Sequence, residues 1–136
     1  PTALRGRFDI GNTQLQVFVP HFCAPATRDK RAHFRQRRAF NTLLARVGAR
    51  NAIIGGDFNE PKMMMRFFGV PDGFKDLSGS LFTPTWHLFS SSRWPIFANL
   101  DHILFDGTNN LKLRKFDVLS RGPSDHSPLI ACFDVL

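Results

Sequence analysis

The chain has 136 residues, 43% of them hydrophobic and 21% charged, which fits a single domain with one core and excludes a disordered tail, a fibrous repeat or a disulfide-stapled miniprotein. Eighteen Lys and Arg against eleven Asp and Glu give a formal net charge of +7, a balance that attracts polyanions such as nucleic acid, phosphoinositides or anionic membrane surfaces. No apolar run approaches the ~20 residues needed to span a bilayer, and Arg5, Arg7 and Asp9 exclude a signal peptide among the first residues.

The chain begins at Pro1, so upstream sequence, with any targeting or anchoring segment it contains, is expected to precede it. From Thr13 to Val19, Leu15, Val17 and Val19 alternate with Gln14, Gln16 and Phe18, the period of a half-buried strand, and Pro20 is expected to end it. His21 follows directly. Cys23, with Cys132, reads as a small core residue, and two cysteines leave the redox compartment open. A helix is predicted over Thr27–Val47, with Thr27 as N-cap and Asp29 suited to the positive first turn. Ala32, Gln36, Ala39, Phe40, Leu43, Leu44 and Val47 trace its apolar face, surrounded by Arg28, Lys30, Arg31, Arg35, Arg37, Arg38 and Arg46, with Gly48 as its stop. His33 reads as a surface residue of this helix. The arginines read as a solvated outer face rather than a polyanion track, because a covering helix is normally charged outside.

Ala52–Ile54 is a short strand running into Gly55 and Gly56. The proline-bearing stretch from Glu60 to Pro95 reads as long loops with one short helix around Met63–Phe68, its methionines filling core space. Trp86 and Trp94 lie there and serve packing or stacking on a base or sugar. Leu100–Phe105 and Leu111–Leu119 are further strands, the first closed by an Asp106-Gly107 turn. Pro128–Val135 closes the chain, with Leu129, Ala131, Phe133 and Val135 on one face. The expected fold is α/β, a mixed sheet covered by one long helix. Fifteen Phe and no Tyr mark a packed core, and no pattern among them marks a base-stacking surface.

Three segments deliver polar groups at strand ends. In Ile53-Ile54-Gly55-Gly56-Asp57-Phe58-Asn59 the glycines allow a close backbone approach, and Asp57 and Asn59, two apart in extended chain, share a side. A carboxylate and a carboxamide together hold a hard cation or orient a water and a phosphoryl oxygen, whereas the same residue types also dominate ordinary turns. In Asn99-Leu100-Asp101-His102-Ile103-Leu104-Phe105, an acid that opens an apolar strand needs a partner. His102 beside it reads as structural. In Ser124-Asp125-His126-Ser127-Pro128, neighbouring Asp125 and His126 diverge and take different roles, one facing a metal and the other leaning on a distant carboxylate such as Asp101.

Those three segments, with the strand ending at His21, resemble four ordered motifs of the endonuclease/exonuclease/phosphatase family, across nearly the whole chain. Thr85-Trp86 resembles the Thr-Trp-Pro loop of a bacterial subgroup, with His87 in place of proline. The resemblance implies a metal-dependent phosphoesterase using Mg²⁺ or Mn²⁺, most often a phosphodiesterase or nuclease. It implies that Asp57 and Asn59 position or activate the water and contact the metal. His126 would stabilise the phosphorane or act as base, oriented by Asp101; Asp125 would ligate metal, and His21 would steady the phosphate. The family fold is a four-layer α/β/β/α sandwich of two similar halves, and this chain resembles the second half alone. The glutamate and asparagine of the first half have no counterpart, and Glu60 reads as a loop residue. Weakened metal binding and turnover are therefore expected of the chain by itself, along with self-association or pairing with the other half. A non-catalytic binding or assembly module, or a lipid or inositol phosphate hydrolase of the same family, is the alternative function.

Overall fold

The computed structural model describes residues 2–25, 31–78, 83–88, 96–107, 110–120 and 122–136. Strand β1, Thr2–Ile10, turns through Gly11-Asn12 and pairs antiparallel with β2, Thr13–His21. Gly11 adopts a left-handed backbone, φ 56°, which glycine takes without steric cost. β1 is an addition to the predicted elements; the Gly-Asn pair ahead of an alternating run was its sequence signal. Pro20 does not end β2. An extended chain tolerates its fixed φ, so the strand continues to His21.

Helix α1, Ala32–Val47, crosses from β2 to the parallel strand β3, Ala52–Asp57. Arg31 stands at its N-cap position, and the predicted start at Thr27 and Asp29 lies outside the described residues. Gly48, φ 59°, caps the other end by donating to the Ala45 and Leu44 carbonyls. Helix α2, Lys62–Phe68, and strands β4, Phe74–Asp76, β5, Trp86–Leu88, β6, Ile96–Ala98, and β7, Asp101–Asp106, follow; β4 and β5 lie in the stretch read as loops, and β6 is likewise an addition, each only three residues long and so without a readable alternation. The main sheet runs β1-β2-β3-β7-β4, while β5 pairs with β6. The last strands, β8, Leu111–Val118, and β9, Leu129–Val135, form a separate two-stranded sheet. The α/β reading with mixed sheets therefore holds.

One face of the main sheet packs beneath α1. Phe18, Ala52, Ile54 and Leu104 from the strands meet Phe40 and Leu44 from the helix, with Phe22, Phe58 and Met65 completing the core. Phe22 packs edge to face on Phe40 at 5.5 Å and on Phe58 at 5.4 Å, each such pair contributing about 0.5–1.5 kcal/mol beyond area burial. The inward stripe of α1 is His33, Arg37, Phe40 and Leu44, so two predicted surface residues are buried, while Ala39 and Leu43 face outward. Met65 is core but Met63 is exposed; Cys23 is half-buried and Cys132 exposed, so neither cysteine is a core residue. Trp94 lies outside the described residues. No described helix is long and apolar enough to cross a membrane.

The described residues cover the opposite sheet face only in part. Phe133 of β9 packs on Phe105 of β7 at 5.2 Å between ring centroids. Beyond it lies an apolar hollow of about 400 Å³ lined by Val17, Val19, Ile53 and Ile103 together with Leu129 and Ala131 of β9. Leu4 is 75% exposed and Phe8 52%.

Candidate active site

Strand register builds the site. β2 and β3 are parallel, so His21 lies beside Asp57; β7 runs antiparallel to β3, so its first residue, Asp101, lies on the other side of Asp57. His21, Asp57 and Asp101 thus form one row across three strand ends, and strict alternation puts that row on the face away from α1. Gly56 makes the approach possible. A Cβ there would stand 2.1 Å from the Pro20 carbonyl oxygen, so no other residue lets β2 and β3 close at this point.

Beyond β3 the chain turns sharply. Asn59 has φ 50°, donates its backbone N–H to Asp57 Oδ1 at 2.8 Å, and sends its side-chain amide to Asp57 Oδ2 at 3.0 Å and to the Phe22 carbonyl at 2.8 Å. His21 Nε2 stands 3.6 Å from Asp57 Oδ2, on an otherwise exposed ring. The fourth motif arrives from the loop before β9. His126 Nδ1 donates to Asp101 Oδ2 at 2.8 Å, the long-range pairing that the sequence suggested. His21, Asp57, Asn59, Asp101 and His126 are therefore brought together.

Thr85 organises that meeting. Fully buried, its Oγ1 accepts from the backbone N–H groups of Leu100 and Asp101, both at 3.0 Å, while its carbonyl accepts from Ser127 N at 2.7 Å. Trp86 bridges to His126 and donates its indole N–H to Asp125 Oδ2 at 3.2 Å, and His87 N donates to the Asp125 carbonyl. The Asp125 carboxylate thus sits on Trp86, outside the His21–Asp57–Asp101 row. Residue reasoning had no handle on Thr85; only its place in the resemblance marked it. A hollow of about 290 Å³, lined by Gly55, Gly56, Asp101, Ser127 and Pro128, opens beside the row.

The electrostatics are consistent with this geometry. Burial pushes the Asp57 carboxyl above its ordinary 3.8; the Asn59 N–H opposes this and the facing Asp101 charge adds to it. Partial burial works against a charge on His126, but the Asp101 hydrogen bond and charge, with Asp57 and Asp125, outweigh it and hold the ring above its ordinary 6.5. For a hard cation the donor set is incomplete. Among the described residues no three His, Cys, Asp or Glu side chains gather as a metal centre. The described residues do not by themselves fit a Mg²⁺ or Mn²⁺ site.

Two further residues complete the comparison with the sequence reading. Glu60 is a loop residue, as read, between β3 and α2, but it is fully buried, with His33 Nε2 at 2.8 Å and Arg37 Nε at 3.2 Å. His102 is structural as expected, fully buried between the Glu60 carbonyl and Ser78 Oγ.

No protein-family model matches the sequence, and no curated protein matches it. Solved structures do. Over 98% of its length the chain superimposes on TDP2 from D. rerio, complexed with a single-strand DNA product, with a TM-score of 0.75 and 15% identity, covering 61% of that chain. The inositol polyphosphate 5-phosphatase domain of spSynaptojanin, with inositol (1,4)-bisphosphate and calcium, matches at 0.69 and 20% identity over 98% of this chain and 50% of that one. An endonuclease/exonuclease/phosphatase family protein from Bacteroides thetaiotaomicron matches at 0.66 and 21% identity, over 95% and 54%. The chain spans about half to three fifths of the length of the structures it matches. The chain thus shares the fold of part of each of these structures, every one of them less than 25% identical to it.

Proposed function

We propose that the chain is the second half of a phosphoesterase that hydrolyses phosphodiester bonds by direct attack of water, with nucleic acid as its substrate class. The carrying observation is the His126–Asp101 pair at 2.8 Å, set in register with Asp57 on the sheet face away from α1. The opposed environments of Asp57 and His126 supply two roles. Asp57, its pKa moved up toward working pH, takes the proton of the attacking water while Asn59 holds its carboxylate. His126, favoured as the cation and fixed by Asp101 through Nδ1, presents Nε2–H to a phosphoryl oxygen as negative charge builds there. His21 at the exposed rim steadies the phosphate. Water oxygen bonds to phosphorus as the bond to the leaving oxygen breaks. The net charge of +7 suits a polyanionic substrate, as does the DNA product held by the TDP2 of similar fold.

The uncovered sheet face and the outer edge of β9 fit the strands of a second sheet, the missing half of a four-layer sandwich, which would also bring the remaining cation ligands. The test is hydrolysis of single-stranded DNA, an abasic duplex, bis(p-nitrophenyl) phosphate and an inositol bisphosphate, each with Mg²⁺ or Mn²⁺, by the full-length protein carrying this chain. Cleavage of the DNA substrates that disappears in His126→Ala supports the reading. Turnover of the inositol phosphate alone would replace it with the lipid-type hydrolase, and no turnover of any would favour the binding module.

A further inference from the structure

Asn59 holds a left-handed backbone, φ 50°, at the turn that carries two of the proposed site residues. Such a conformation persists where the flanking structure over-determines it. Both flanks are fully buried. Phe58 packs edge to face on Phe22 at 5.4 Å and on His102 at 5.3 Å, and its N–H donates to the Leu100 carbonyl at 3.0 Å. Glu60 is gripped from two elements at once. Its carboxylate meets His33 at 2.8 Å and Arg37 at 3.2 Å, one helical turn apart on α1, and its carbonyl accepts from His102 Nε2 of β7 at 2.7 Å.

The grip extends to the neighbouring strand end. His33 Nδ1 donates to the Cys23 carbonyl at 2.7 Å and Gln36 Oε1 accepts from Cys23 N at 2.8 Å, so the same helix fixes the segment that follows His21. Arg37 is itself held over Phe58 at 5.3 Å and donates to the Gly69 carbonyl at 3.0 Å. His102 is backed by Ser78, which bonds Asp76 in turn. A buried carboxylate is costly unless it is paired and hydrogen-bonded, and an ion pair used only for packing is readily replaced by apolar side chains. Here the pair ends one residue from the proposed reacting groups.

We propose that Glu60 is the positioning residue of the Asp57–Asn59 turn: gripped at its carboxylate by His33 and Arg37 and at its carbonyl by His102, it locks Asn59 in place, so that the Asn59 amide holds the Asp57 carboxylate in the row with His21 and Asp101. The kinetic arm of this inference rests on the phosphoesterase reading; the geometric arm does not. Glu60→Gln, nearly equal in volume, keeps one acceptor and removes the charge and the second acceptor. Leu44→Ala, buried on the same helix but away from the turn, serves as a control that destabilises without touching it.

In the full-length protein, well below both melting temperatures, Glu60→Gln lowers kcat on bis(p-nitrophenyl) phosphate by about 10²-fold, the effect of an ångström-scale misplacement, and leaves KM unchanged, while Leu44→Ala leaves both constants near wild type. In nuclear magnetic resonance spectra the Asn59 side-chain amide shifts and loses exchange protection in Glu60→Gln but not in Leu44→Ala. An Asn59 amide untouched by Glu60→Gln, or equal kcat losses in the two variants, overturns the proposal. A wild-type protein without hydrolysis sinks the phosphoesterase reading and leaves the amide signal to decide the geometry. Should Glu60→Gln not fold, His33→Gln, which removes one grip and leaves the Arg37 pair, is read by the same two measurements.

Discussion

Asp57 and Asp101 face each other across adjacent strands, an arrangement of like charges that costs stability. Burial and the Asp101 charge raise the Asp57 pKa, so its ionised form is disfavoured in the folded chain and its stability contribution falls as pH climbs through the raised value. Asp57→Asn is therefore expected to raise the melting temperature at pH 7 while abolishing hydrolysis; calorimetry beside a rate assay checks both, and a lower melting temperature counts against the assignment. His126 carries the opposite logic. Its raised pKa makes its pairing with Asp101 stabilising below about 6.5, and that stabilisation is lost as pH rises through the folded value. Asp101→Asn removes the partner, so the alkaline limb of the pH–rate profile moves to lower pH, and the stability difference from wild type is largest in mildly acidic solution. A limb that stays in place would show that the protonated His126 ring is not required for the reaction.

The elements matter because they bring residues from distant parts of the sequence within bonding distance. Gly56 and Pro20 show how little room there is: the methyl carbon of an alanine at position 56 would lie 2.1 Å from the Pro20 carbonyl oxygen, so Gly56→Ala must push β2 from β3. Overpacking of this kind costs roughly 1–3 kcal/mol or more, so chemical denaturation is expected to show a lower midpoint, with the rate falling further than stability alone explains because His21 and Asp57 lose register. Thr85 works at the same scale, from the loop into β5. Thr85→Val keeps its shape and strips the acceptor from two backbone N–H groups, at a cost of about 1–3 kcal/mol for each buried group left unsatisfied. Denaturant titration measures that loss, and the Asp101–His126 spacing is expected to widen with it.

At the scale of the molecule, the described residues leave an apolar sheet face open on the side of the His21–Asp57–Asp101 row. Leu4, Phe8 and Val19 are about half exposed or more, on neighbouring strands, and β8 and β9 cover only the β7 end. The chain by itself is expected to self-associate with rising concentration in sedimentation experiments, and Val19→Lys to return it to monomer without lowering its melting temperature. A chain that stays monomeric at all concentrations would show that this face is stable in water.

Alternation alone marked β2 and β9, and Asp57, Asn59, Asp101 and His126 stood out because polar groups at the ends of apolar strands need partners. Even the Asp101–His126 pairing was legible, since adjacent Asp125 and His126 cannot serve one role in extended chain. Everything that depends on the far side of a contact had to come from the fold. His33 and Arg37 stand at helical spacing with Phe40 and Leu44, yet polarity assigned them to solvent, because a sequence does not reveal that a glutamate 27 residues from His33 arrives to pair with them inside the core. Thr85 was marked only by the Thr-Trp resemblance, and its role was hidden for the same reason: a threonine near prolines says nothing of the two N–H groups it satisfies. Periodicity reports which face of an element turns inward; register, burial of charge and the row His21–Asp57–Asp101 follow from pairings that no local pattern encodes.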